Sequence, residues 1–264
     1  MRVYVEGLGV LGPGLTGWEA SRRILSGLQA YAAQPTEITA SALLPAAVRR
    51  RTGAPVKLAL AVAEEAFARA HRNAAETPTV FTSSTGDGDN VHAMLEVLAS
   101  AEREVSPTRF HNSVHNAAAG YWSLATQSRV PSTSLCAYDA SFATGLLEAA
   151  AQINADGPAA ALIAYDHPYP EPLFSKRPIG GSFAVALVMC AEPTQNAFAS
   201  LDVDFAPGAA DSPAMDDPSL EALRAGVPAA RCLPLLAALA RGVPATFSLE
   251  HGARSRVNLS VAPC

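Results

Sequence analysis

The stretch from Ser132 to Ala150 constrains the fold of this chain more than any other. Ser132-Thr133-Ser134-Leu135-Cys136-Ala137-Tyr138 reads as a strand, Asp139 stands at a sharp elbow, and Ser141-Phe142-Ala143-Thr144-Gly145-Leu146-Leu147 opens a helix with no loop between. Upstream, Ser106-Pro107-Thr108-Arg109-Phe110-His111-Asn112-Ser113-Val114-His115-Asn116 reads as a helix running on through Tyr121-Trp122. A strand that passes straight into an apolar helix needs a sheet on one side and a helical layer on the other. The segment therefore predicts a layered α/β fold.

The rest of the chain supports that class. Val3-Tyr4-Val5 predicts a strand, Gly7 to Gly14 a glycine-rich turn, and Thr16 an N-cap for a helix that Gly27 ends. Residues 35–52 read as irregular, and Val56 to Ala70 carries apolar residues at helical spacing. Thr79-Val80-Phe81-Thr82 predicts a buried strand, Ser83 to Asn90 a polar loop, and His92 to Leu98 a helix. Strands follow at 160–164 and 183–189, separated by a proline-rich loop. From about Asp202 the pattern weakens; helices near 220–223 and 233–239 precede a strand pair at 245–249 and 257–261.

With 264 residues, 49% of them apolar and 16% charged, the chain can bury a large core. A net charge of -5 offers no electrostatic case for nucleic acid or an anionic membrane, and no apolar run reaches the roughly 18 residues of a spanning helix. Cys136, Cys190, Cys232 and Cys264 are scattered without metal-ligand spacing, which predicts a reduced protein of the cytoplasm with no metal. The N-terminal segment lacks the long apolar stretch of a signal peptide.

Several motifs are weaker than they look. Gly7-x-Gly9-x-x-Gly12 fits the dinucleotide fingerprint, but the acid expected about 20 residues on, at the end of the next strand, is missing; that region is Leu25-Ser26-Gly27-Leu28. The glycines are expected to serve a tight turn. Asp87-Gly88-Asp89 lacks the remaining acids of a calcium loop and reads as a solvated turn. His111 and His115, four apart, would share a helix face, yet Asn112 replaces the Glu of H-E-x-x-H. Cys136, inside a strand, reads as a small buried hydrophobe, with a nucleophilic role as the alternative. Asp139, ahead of a helix, reads as an N-cap; the alternative is a carboxylate turned toward a pocket.

S-P-T-R-F-H-N-S-V-H-N-A-A-A-G-Y-W and S-L-C-A-Y-D-A-S-F-A-T-G-L-L-E-A-A resemble the nucleophile segment of β-ketoacyl synthases of the thiolase-like superfamily. There a strand ends in T-A-C-x-S, with the Cys on the elbow. Aligning Ser106-Pro107, Val114-His115-Asn116, Gly120, Pro131 and Ser141 without a gap puts Asp139 at the nucleophile position. The resemblance covers residues 1 to about 190. The family's second half should bring two histidines; here the residues after 190 hold one, His251, in Leu249-Glu250-His251-Gly252. Without Cys and histidine pair, decarboxylative condensation lacks its nucleophile and its oxyanion stabiliser.

The pattern is similar to chain-length factors, the inactive partners of ketosynthases, and in particular to the short ketosynthase-like subunits of bacterial aryl polyene pathways. The resemblance implies a thiolase-like helix–sheet–helix fold, truncated in its second half. Residues 1–200 would form the ketosynthase N-terminal-like half, and residues 201–264 a shortened C-terminal segment. It implies no catalytic residue and no cofactor. The expected partners are a full-length ketosynthase, as a heterodimer, and through that complex an acyl carrier protein. Thr108, Arg109, Phe110, His111, Asn112 and His115 would line the partner's acyl tunnel. Ser132, Thr133, Ser134, Leu135, Cys136, Ala137 and Tyr138 would form the strand that pairs across the dimer. Two other readings compete: a stand-alone acyltransferase or thioesterase using Cys136 with His115, and a free-standing ligand-binding domain.

Overall fold

The structure is a computed structural model and describes residues 1–155 and 157–264. Among these, nine strands form one sheet: β1 (Arg2–Gly12), β2 (Leu15–Thr16), β3 (Thr79–Thr82), β4 (Ser132–Leu135), β5 (Ala159–Asp166), β6 (Phe183–Cys190), β7 (Ala199–Pro207), β8 (Ala245–Gly252) and β9 (Ser255–Pro263). Their order is β4-β3-β5-β6-β1-β7-β9-β8, with β2 paired to β1. The β4, β3 and β5 strands are parallel and the remaining pairs antiparallel. The helices are α1 (Trp18–Leu25), α2 (Ala46–Arg49), α3 (Ala54–Ala70), α4 (Gly88–Ala99), α5 (Pro107–Asn112), α6 (Ala117–Thr126), α7 (Ser141–Ala155), α8 (Pro218–Gly226) and α9 (Leu233–Arg241).

The central strands β5 and β6 are apolar and buried throughout, as strands covered on both faces must be. Along β5 the pleat sends Ala160, Leu162 and Ala164 into one core and Ala161, Ile163 and Tyr165 into the other. The first core packs against α1, α7 and α9, the second against α3 and α6. The result is the helix–sheet–helix sandwich expected from the sequence. The 200/201 boundary falls within β7, so both expected segments contribute to the same sheet.

The glycine-rich turn is corrected. β1 continues through Gly7 and Gly9 to Gly12, and α3 lies directly on it. A Cβ at Gly7 would stand 2.0 Å from the Ala66 carbonyl oxygen, and one at Gly9 2.2 Å from that of Val62. The glycines, set against Val62, Ala66 and Ala70, let helix and strand backbones touch. Thr16 is not the N-cap of α1 either: it lies in β2, and Gly17 occupies the cap. The side chain of Glu65 supplies the missing acceptors, receiving hydrogen bonds from Trp18 N (2.5 Å) and Val10 N (3.1 Å). Asp87 is no solvated turn residue, since its carboxylate caps α4 by accepting from Asn90 N at 3.1 Å. β7 extends the expected strands: Leu201 and Val203 point inward between Ser200, Asp202 and Asp204.

The single helix expected over 106–122 is two. The turn Ser113–Asn116 separates α5 from α6, so His111 and His115 do not share a helical face.

Candidate functional site

β4 ends at Leu135, and the chain reaches α7 through a tight turn over Tyr138–Ala140. Tyr138 adopts φ of 53°, a left-handed backbone unusual for a large side chain. Ser141 stitches the elbow: its Oγ accepts from Ala137 N (3.0 Å) and donates to Tyr138 O (2.7 Å). Gly145 of α7 then allows close approach, because a Cβ there would lie 2.7 Å from the Leu162 side chain.

Asp139, at the tip of the elbow, does not cap α7. Its Oδ1 accepts from Arg177 Nη2 at 2.8 Å and its Oδ2 from Arg231 Nη2 at 3.0 Å. Arg231 continues to Glu250 on β8 (2.7 Å), and Arg177 to Ser84 Oγ (2.7 Å). The guanidinium of Arg177 also stacks on the Tyr138 ring, 3.5 Å from its centroid. Asp139 is partly exposed, so solvent screening holds each pair to roughly 1 kcal/mol. Geometry matters more: both oxygens of the carboxylate are held by cations. The pocket-facing alternative fits, since Asp139 and Arg231 border a cavity of about 410 Å³ with Phe142, Arg224, Leu249 and Glu250.

A second carboxylate organises this network from beneath. Asp166, the last residue of β5, is fully buried. Its Oδ1 accepts from Ser84 N (2.8 Å), Thr85 N (3.1 Å) and Ser83 Oγ (3.2 Å), and its Oδ2 from Ala229 N (2.8 Å). Burial pushes its pKa up to about 6, against the pull of these donors. Ser84 carries Arg177, and Ala229 shares its turn with Arg231. One buried side chain thus positions both partners of Asp139.

Cys136 is corrected: it lies beyond the end of β4, exposed, with its Sγ 3.9 Å from Ser84 O. His115 Nε2 lies 3.0 Å from the Ser83 carbonyl oxygen, which accepts only from a protonated nitrogen. That nitrogen is therefore not a free base, and no hydrogen bond links Cys136 to His115 among the described residues. Ala137 and Tyr138 likewise leave the expected strand, whose paired part is Ser132, Thr133, Ser134 and Leu135 at one edge of the sheet. Thr108, Arg109, Phe110, His111 and His115 are exposed, Phe110 to 69%. Asn112 differs: it is buried, donates to Arg51 O (2.8 Å) and accepts from Tyr121 OH (2.8 Å). His251 packs edge-on against Phe205 and pairs with Ser255 Oγ (3.1 Å); its neighbour Glu250 reaches the elbow network. Sequence reasoning missed Arg177, Arg231 and Asp166, which stand in segments with no motif of their own, and in Leu249-Glu250-His251-Gly252 it looked to His251 and passed over Glu250.

The model of the family described as β-ketoacyl synthase, N-terminal domain, matches residues 18–241. No curated protein matches the chain. Among solved structures, the chain is similar to one from the complex of the ketosynthase ApeO with its chain length factor ApeC from Xenorhabdus doucetiae. There the identity is 22%, the match covers 98% of this chain and 99% of that one, and the TM-score is 0.74. It is also similar to a chain of the ishigamide ketosynthase/chain length factor, at 14% identity, 100% and 99% coverage, and a TM-score of 0.74. A third likeness is to a chain of AntDE:AntF, a type II polyketide synthase acyl-carrier protein in complex with its ketosynthase. Here the values are 13% identity, 100% and 99% coverage, and a TM-score of 0.75. These likenesses establish the thiolase-like fold over the whole chain. Among the described residues, no helix is long and apolar enough to cross a membrane.

Proposed function

The chain belongs to the β-ketoacyl synthase N-terminal-domain family, and from that premise we propose that it is the non-catalytic, chain-length-factor-like subunit of a ketosynthase heterodimer. In this reading it works in the cytoplasm on carrier-bound intermediates of a polyene or fatty-acid-like product. The observation that carries it is Asp139 at the nucleophile position, held by Arg177 and Arg231. A carboxylate so held anchors the elbow and leaves condensation to the partner. The exposed edge strand β4 suits pairing with a ketosynthase, because an unpaired strand edge and adjacent apolar side chains favour being covered. The likeness to chains of ketosynthase/chain length factor complexes supports the same reading.

The test is reconstitution with the ketosynthase of the same organism, acyl and malonyl carrier proteins, and intact-mass analysis of each subunit. The ketosynthase should carry the acyl group and this chain none. Asp139→Cys should acquire no condensing activity, since no histidine pair faces residue 139 among the described residues. An acyl adduct on Cys136, or a new carbon–carbon bond formed by this chain alone, would count against the proposal.

Thr108, Arg109, Phe110, His111 and His115 are proposed to shape the partner's tunnel from the exposed side of α5 and the following turn. Phe110→Ala should open space for a longer product. Each methylene newly buried is worth roughly 0.8 kcal/mol, enough for a several-fold shift in the product distribution. Mass spectrometry of products from the intact complex reads the effect. An unchanged profile would leave the subunit a scaffolding role only.

A further inference from the structure

Among the described residues, four that are not glycine hold a positive φ: His71, Arg103, Gln127 and Tyr138. His71 and Gln127 stop α3 and α6, where a left-handed residue is an ordinary way to end a helix. Arg103 lies in an exposed loop. Tyr138 belongs to neither class. It stands at the elbow between β4 and α7, with a bulky ring for which φ of 53° is unfavourable.

Several contacts keep it there. Ser141 Oγ bonds to both ends of the turn, at Ala137 N and Tyr138 O. The guanidinium of Arg177 lies against the ring and is itself fixed by Asp139 and Ser84. With one face so covered, Tyr138 is still 62% exposed. An exposed ring on a strained backbone adds nothing to the core. Strain of this kind persists where the surroundings over-determine it, and it gathers at functional sites.

The surroundings say where the ring points its use. Tyr138 stands three residues beyond Leu135, the end of the edge strand β4. Loop 83–86 ties the elbow to the turn after α5: Ser84 Oγ accepts from Arg177, and Ser83 O bonds to His115. Phe110 and Val114, on that helix and turn, are exposed as well. The ring thus continues an open strand edge beside further exposed apolar side chains.

We propose that Tyr138 is the anchor by which this subunit grips its ketosynthase, and that Arg177, locked by Asp139, presents the ring for that contact. The inference rests on the heterodimer reading above. The partner surface is one that continues the β4 edge and offers an apolar pocket for the ring. A tyrosine seated in such a pocket dominates an interface, because it fills the space with few rotatable bonds to immobilise.

The experiment titrates the full chain against the ketosynthase of the same organism by calorimetry, with a thermal melt of each variant alone. Tyr138→Ala should weaken the heterodimer at least about thirtyfold, the effect of losing a hot-spot ring. Tyr138→Phe should stay within about fivefold of native affinity, since it loses at most one hydrogen bond. Tyr138→Gly should bind as poorly as Tyr138→Ala yet melt no lower than it, because glycine adopts φ of 53° without steric penalty. Asp139→Ala should also weaken binding, with the ring still present; native affinity there would overturn the presenting role. Unchanged affinity in Tyr138→Ala and Tyr138→Gly would overturn the proposal. So would a ring whose loss alters only product length, or only self-association of this chain. A native chain that binds no ketosynthase would sink the heterodimer reading instead.

Discussion

Replacing Asp166 by alanine should cost on the order of 4 kcal/mol of folding stability and disorder the elbow network with it. The substitution leaves the N–H groups of Ser84 and Ala229 without their acceptor, while Thr85 N keeps only Ser83 Oγ at 3.2 Å. A buried donor stripped of its partner costs about 1–3 kcal/mol, more than the bond itself contributes. Asp166→Asn keeps an acceptor oxygen and should lose less. The two variants also separate through pH. The folded-state pKa of Asp166 is raised from 3.8 to about 6, so the folded protein holds this proton where the unfolded chain has released it. The stabilising contribution of protonation is complete below pH 3.8 and is lost as pH rises through 6. Between pH 5 and pH 7 this group alone should lower stability by about 1 kcal/mol. Urea unfolding at both pH values should show that component in the native chain and its loss in Asp166→Asn. Equal stability of Asp166→Ala and the native protein would show that water replaces the carboxylate and that the network does not depend on it.

The second large effect is expected at Gly7. Gly7→Val should cost more than about 3 kcal/mol, beyond the usual range for overpacking, because the obstacle is the backbone of α3 and not a side chain that can turn away. The first added carbon meets the Ala66 carbonyl at 2.0 Å and the Ala70 Cβ at 2.8 Å, so helix and strand must separate. The control is Gly120 in α6, where an added Cβ meets nothing within 4 Å. Gly120→Ala should gain roughly 0.5–1 kcal/mol from helix propensity. Thermal melts of both variants read the contrast. A Gly7→Val protein that melts with the native one would mean that α3 does not rest on β1 as described.

Local periodicity determined much of this protein. The apolar runs of β3, β5 and β6, the helical spacing of α3, and the strand–elbow–helix sequence around Asp139 each report a structure set within a few residues. So does the carboxylate at the elbow, since it is a matter of which residue stands there. Where the chain interrupts its own period, sequence reasoning erred. Gly7 and Gly9 look like a turn because glycine favours turns, yet the strand runs through them because α3, with its Ala66 and Val62 carbonyls against them, needs the space. The S-V-H-N turn between α5 and α6 breaks what reads as one helix, which separates His111 from His115.

What only the tertiary structure decided are the partners of buried and half-buried charges. Asp139 meets Arg177, 38 residues away, and Arg231, 92 residues away; Asp166 meets Ala229, 63 residues away. No local pattern encodes such meetings, because a hydrogen bond depends on where the folded sheet delivers its ends and not on separation along the chain. The sequence alone determined that a layered α/β scaffold would carry a carboxylate at its strand–helix elbow. Folding decided that two arginines from distant loops would hold that carboxylate still.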